Sequence, residues 1–175
     1  MAHQSSRSIA NSMDQHSAAT ACRAAYDGAA ACFAEIRHEL GDRAARRGHA
    51  ILYGPPPVEP PPILFIGLQP GGGEEDNQPS TGADPWPMKN EYAHGDWPLA
   101  RSLRAVFPND LYPDVLDRSL GLNAIFLRAP SKTVYERDIR HDLRARIEAF
   151  CLDQVRRLIP VLRPRRIIVI GLGTL

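Results

Sequence analysis

Asn123 is an amide set inside an otherwise apolar run, Leu120 to Phe126. A buried amide has to be hydrogen-bonded. It therefore either ties neighbouring loops together or meets a ligand with its donor and its acceptor. Gly67, Pro70 and Gly71 form a second group, at the end of the apolar run Ile63 to Gly67. Their spacing makes a sharp turn, and glycine lets backbone come close to a sugar or phosphate. Gln69 lies inside that turn. Its amide is no base, but its carbonyl oxygen can orient a water molecule. Glu74, Glu75 and Asp76 follow in a loop. A carboxylate there could stabilise positive charge or act as a general base, and a solvated acidic loop is the plainer reading. Arg128, Ser131 and Lys132 come just after the Asn123 run; basic and hydroxyl groups of this kind hold phosphates, and they also populate ordinary solvated loops.

These residues need elements to position them. Ile63 to Gly67 is an uninterrupted apolar run, the pattern of a parallel strand buried on both faces, and Leu120 to Phe126 and Arg166 to Gly171 read as the second and third buried strands. Ala25, Ala29, Cys32, Phe33, Ile36 and Leu40 recur at helical spacing and predict a helix over about 21–47, which Gly41 could interrupt or cap. Leu99 to Val106 reads as a short helix ended by Pro108. A long amphipathic helix is expected over about 138–161, with Leu143, Ile147, Phe150, Val155, Leu158 and Val161 on its apolar face and Pro164 beyond it. Ser131 to Tyr135 reads as loop. The order strand, helix, strand, helix, strand implies parallel pairing, and hence a three-layer α/β/α fold around a central parallel sheet.

The chain has 175 residues, 43% of them hydrophobic and 23% charged, which suits one domain with a real core. Residues 1–19 carry no periodic apolar pattern and read as a disordered leader, leaving residues 20–175 as a single α/β domain. Within it, residues 55–62 hold six prolines and form an extended connector. His49 to Gly54, just before, reads as a short strand-like piece. The formal net charge of +1 provides no global basic field, so any nucleic-acid contact has to rest on a local stripe. Cys22, Cys32 and Cys151 are odd in number and lack CxxC spacing, which argues against a disulfide framework or a zinc site and for idle thiols in a reducing cytoplasm. No apolar run is long enough to span a bilayer. The last strand runs into Gly171 close to Leu175, where the loop and covering helix of an open α/β sheet would be expected, so the domain is expected to be incomplete at its C-terminus.

Two segments resemble the uracil-DNA glycosylase superfamily. Ile63 to Gly71 is similar to its first motif, a buried strand ending in Gly-x-x-Pro-Gly. Leu122 to Pro130, the long helix, and then Leu162 to Gly171 resemble the strand carrying the superfamily's substrate-reading asparagine, the helix behind it, and the next strand. The resemblance covers roughly Ile63 to the end.

The resemblance implies hydrolysis of the N-glycosidic bond of a deaminated base in DNA, as in base excision repair, with the base flipped out of the stack. Asn123 would read the base, Trp86 or Tyr92 would stack on it, and Gly67, Pro70 and Gly71 would let backbone approach the nucleotide. Gln69 stands where the family supplies an Asn, Asp or Glu that positions the attacking water, so Gln69 or a loop carboxylate, Glu75 foremost, would take that part. Arg128, Ser131 and Lys132 would hold phosphates. The resemblance implies a monomeric DNA-binding protein with no cofactor and no metal; the four cysteines of the family's iron–sulfur branch are not matched, with Leu127 where that branch has one. Two other expectations stand beside it: a noncatalytic nucleic-acid or nucleotide-binding module of the same fold, and an inactive fragment.

Overall fold

The computed structural model describes residues 3–72 and 84–171, with side chains from Ala18 onward. Glu75, and with it Glu74 and Asp76, lies outside the described residues. The elements run α1 (His3–Glu35), α2 (Arg37–Arg46), β1 (Leu64–Gly67), α3 (Glu91–His94), α4 (Pro98–Val106), α5 (Val115–Arg118), β2 (Leu120–Asn123), α6 (Lys132–Asp138), α7 (His141–Leu162) and β3 (Ile167–Val169). The protein is thus mixed α/β.

The three strands form one parallel sheet in the order β2-β1-β3. Leu64 stands opposite both Leu120 and Ile167, and Gly67 stands opposite Asn123. Strand side chains alternate between faces. Leu64 and Ile66 accordingly join a core built with α1, α2, α6 and α7, while Ile63 and Phe65 join a smaller core with Tyr92, Leu103 and Leu116.

On the first face, α1 packs along α7. Its contact stripe is made of small residues, Ala18, Cys22, Ala25 and Ala29, all buried. Small side chains let the helix axes come close, and a Cβ on Gly28 would meet the Phe150 ring at 3.9 Å. From α7 the stripe is completed by Leu143, Ile147, Cys151, Val155 and Leu158. A buried ion pair, Arg47 to Asp138, ties the end of α2 to the end of α6.

Several expectations change. α1 begins at His3, within the segment read as a disordered leader; residues 3–17 contain no Gly or Pro to break a helix. Gly41 does interrupt α2, with φ of 73° and ψ of 156°, a conformation that suits a residue without Cβ. Residues 132–138, read partly as loop, are the helix α6: the Ser131 hydroxyl caps it by accepting from the Val134 N–H at 3.2 Å. β2 ends at Asn123, three residues short of the apolar run, because the chain there turns to follow residues 67–70. β3, expected to be buried, is an edge strand whose Ile167 and Val169 are 45% and 44% exposed, while Ile168 and Ile170 pack on the smaller core. Among the described residues no helix is long and apolar enough to cross a membrane.

Candidate functional site

Residues 120–129 are held between two other stretches of backbone. On one side, Ala124 and Ile125 donate to the carbonyls of Gly67 and Leu68 (both 2.8 Å), and Ala129 donates to Pro70 (3.2 Å). On the other, residues 48–53 run antiparallel as a strap. Ala50 donates to Phe126 (2.9 Å) and Tyr53 to Gly121 (3.0 Å), while Asn123 donates to Ile51 (3.0 Å) and Arg128 to Gly48 (3.1 Å). The strap covers the free edge of β2. It corresponds to the strand-like piece read at His49 to Gly54, here paired only through two isolated bridges.

A cleft of about 660 Å³ opens where these three stretches meet, at the carboxyl ends of the strands. That is the size of an ordinary small-ligand site and the usual place for one in an open parallel sheet. Gly67, Gln69, Gly71, Tyr92 and Arg128 border it, together with His49, Tyr53, Glu91 and Trp97.

One wall is aromatic. Tyr53, Tyr92 and Trp97 lie with ring centroids 5.1–5.7 Å apart. Gly121 makes this possible: a Cβ there would come within 2.5 Å of Tyr92 and 2.9 Å of Tyr53. Burial pushes the Tyr53 phenol up to about 12 and raises that of Tyr92 further. Both are neutral hydroxyls at physiological pH. Glu91 borders the cleft at the start of α3, where Asn90 caps the helix by accepting from the Tyr92 N–H. Burial raises its carboxyl above the ordinary value, opposed by the positive charge of Arg128.

The polar groups are unusual in what they leave unpaired. Of seven buried side-chain polar atoms without a hydrogen-bond partner among the described residues, three belong to residues that border the cleft, His49 Nε2, Gln69 Oε1 and Arg128 Nε, and a fourth, Asn123 Oδ1, lies beside Gly67. Buried polar atoms are nearly always paired in a native fold, so this concentration marks a place prepared for a polar ligand or for water. Asn123 is fully buried, and its Oδ1 lies 3.7 Å from the position a Cβ of Gly67 would take. A side chain at position 67 would therefore pack directly on that oxygen. Gln69 Nε2 donates to the Ala129 carbonyl at 3.3 Å, and one Arg128 nitrogen donates to the Gly71 carbonyl at 3.1 Å. His49 packs against the rings of Tyr26 (4.7 Å) and Phe33 (5.3 Å). Burial, helped by the Arg128 charge, pushes its imidazole down to about 4, so it is neutral at pH 7.

The structure therefore brings Gly67, Gln69, Gly71, Tyr92 and Arg128 together around the cleft, with Pro70 buried at the turn; Asn123 does not line the cleft but lies fully buried beside Gly67. Arg128, read from sequence as a phosphate holder, stands in the cleft wall. Trp86 does not line the cleft: it packs on the larger core with the Arg23 guanidinium 5.0 Å above its ring. Ser131 is engaged in capping α6, and Lys132 reaches Glu136 at 3.8 Å on the surface of that helix. Sequence reasoning missed His49, Tyr53 and Glu91. The capping Asn90 beside Glu91 was the one local signal available. No group of three or more His, Cys, Asp or Glu among the described residues is gathered as a metal site would be.

Compared with family models, with curated proteins and with solved structures, the chain gave no match to any of them.

Proposed function

We propose that the cleft excises a deaminated base from DNA in the manner of the uracil-DNA glycosylases, within an α/β/α fold of that type. The observation that carries this reading is the set of buried polar atoms without partners on residues that border the cleft, Gln69 Oε1 among them, beside an aromatic wall at the carboxyl ends of the strands. The base leaves the stack and enters the cleft. Tyr92 and its ring neighbours supply the apolar surface, and Asn123 meets the base edge. Water attacks C1′ of the deoxyribose, the N-glycosidic bond breaks, and a free base and an abasic site result. Gln69 Oε1 orients that water. A carboxylate stabilises the positive charge growing on the sugar; Glu91 joins Glu75 as a candidate, because it borders the cleft. The partner is DNA, the acting unit a monomer, and the setting a reducing cytoplasm that suits three free cysteines.

The test is to incubate the purified chain with labelled DNA carrying one uracil, and then to cleave abasic sites with alkali. Shortened strands that vanish with Asn123→Ala support the reading; intact strands with the wild-type chain refute it.

A second reading, a noncatalytic binder of nucleic acid or nucleotide, is favoured by one observation. Gln69 places an amide where the water-activating acid would stand, and its nitrogen is tied to the Ala129 carbonyl. That reading predicts salt-dependent, saturable DNA binding without bond cleavage.

A further inference from the structure

The buried stripe of α1, Ala18, Cys22, Ala25 and Ala29, is turned to α7. Residues three and four apart share a helix face, and a second stripe beside it is turned to the cleft. Tyr26 borders the cleft and lies 4.7 Å from the His49 ring, which Phe33 meets at 5.3 Å. One turn before Tyr26, Arg23 reaches across to residues 84–86. Its guanidinium donates to Asp84 Oδ1 at 2.6 Å and stands 5.0 Å from the centre of the Trp86 ring. All of α1 lies outside the stretch that resembles the glycosylases, which begins at Ile63.

Residues 84–87 form one rim of the cleft. Pro85 and Pro87 line it, and Trp86 between them does not. The indole packs on the larger core instead. A proline ring fixes φ, so with a proline on each side the segment has little freedom to bend around Trp86. Where the indole is held, both prolines follow. Arg23 holds that indole through its ring, and holds the neighbouring Asp84 by a charge-assisted bond. A guanidinium suits both contacts, because it donates in a planar fork and also stacks on aromatic faces.

We propose that Arg23 is a positioning residue for the cleft: it fixes the Pro85–Pro87 rim to α1 and so sets how wide the cleft opens for its ligand. The consequence for DNA rests on the base-excision reading; the attachment of the rim does not.

Stability and positioning are separable here. The Arg23 and Asp84 side chains are 39% and 62% exposed, and exposed ion pairs add little to folding. The fold as a whole therefore does not depend on the contact. The rim does, because an ion pair and a cation–π contact acting together favour its held place by up to about tenfold.

The experiment has two arms. The first uses the full chain with Trp97→Phe, which leaves Trp86 as the single tryptophan. Acrylamide quenching of its fluorescence then reads the rim directly. Arg23→Met keeps an apolar stem and removes the charge; quenching should rise at least about twofold while the melting temperature stays in place. Arg23→Lys keeps a cation and should restore part of the protection. Asp84→Asn should raise quenching less than Arg23→Met and add nothing to it in the double variant. The second arm restores Trp97 and follows excision from uracil-containing DNA. Arg23→Met should raise KM by up to about tenfold with kcat unchanged, the pattern of binding lost equally from ground state and transition state. Unchanged quenching in Arg23→Met overturns the inference. So does a quenching increase that comes only with a fall in melting temperature, or one that leaves KM unaltered in a chain that excises. Intact DNA with the wild-type chain sinks the base-excision reading instead, and the quenching arm alone then decides whether Arg23 holds the rim.

Discussion

The flank where α1 meets α7 is closed to solvent and the cleft at the ends of β1 and β2 is open to it, and they are built by opposite means. The flank is apolar throughout, with small residues on one helix and branched or bulky ones on the other. Each contact there is replaceable by another of similar volume. The cleft is built from backbone hydrogen bonds among three distant stretches of chain, and some of its side-chain polar atoms are left unpaired. Under the proposed function, the first region serves stability and the second binding, so mutations should separate the two.

The largest effect should come from the flank. Leu143→Ala removes a fully buried side chain from α7 and should lower unfolding free energy by about 2–5 kcal/mol. Ligand affinity of the folded fraction should not change. Chemical denaturation together with base titration checks both halves of that statement, and a selective loss of affinity would blur the distinction.

Gly121→Ala acts at the boundary between the regions. Its Cβ would lie 2.5 Å from Tyr92 and 2.9 Å from Tyr53, so the aromatic wall has to shift, at a cost of about 1–3 kcal/mol. Unlike Leu143→Ala, this change should weaken base binding as well, read by the same titration.

Acidification should act through His49. Its folded value of about 4 lies below the ordinary 6.5, so the unfolded chain takes up a proton first. Stability is then full above about 6.5 and declines as pH falls toward 4. Melting temperature measured against pH, in the wild type and in His49→Phe, isolates this contribution: the variant should lose that part of the slope. A slope unchanged in the variant would assign the acid sensitivity elsewhere.

Ser131→Ala should have the smallest effect, about 1 kcal/mol from loss of the α6 cap, with base binding intact. Weakened DNA binding in a chain of near-normal stability would instead give the Ser131 hydroxyl a part at the phosphates.

The same contrast explains what was legible in the sequence. β1, the core of β2 and α7 could be read because buried parallel strands are continuous apolar runs and an amphipathic helix repeats every three to four residues. α6 could not, since seven residues with Tyr135 alone buried carry no measurable period. The turn Gly67–Gly71 and Asn123 announced themselves by residue type against an apolar background. His49, Tyr53 and Glu91 did not, because nothing local distinguishes them; they join the site only through the strap and through Asn90, which donates to the carbonyls of Leu116 and Ser119. Arg128 was visible as a basic residue, but whether it faces phosphate or cleft depends on its bond to Gly71.

The strap has one more consequence. Ala50 and Asn123 are 73 residues apart in sequence, and contacts of such separation are among the last that a folding chain closes. The Nδ2 of Asn123 reaches the carbonyls of Ala50 and Ile51 only once that closure is made. Any excursion that lifts residues 48–53 from β2 would free Nδ2 to turn before the fold as a whole gives way. The geometry beside the cleft would then be less durable than the fold, and amide exchange at Asn123 and Tyr53 would time its lapses.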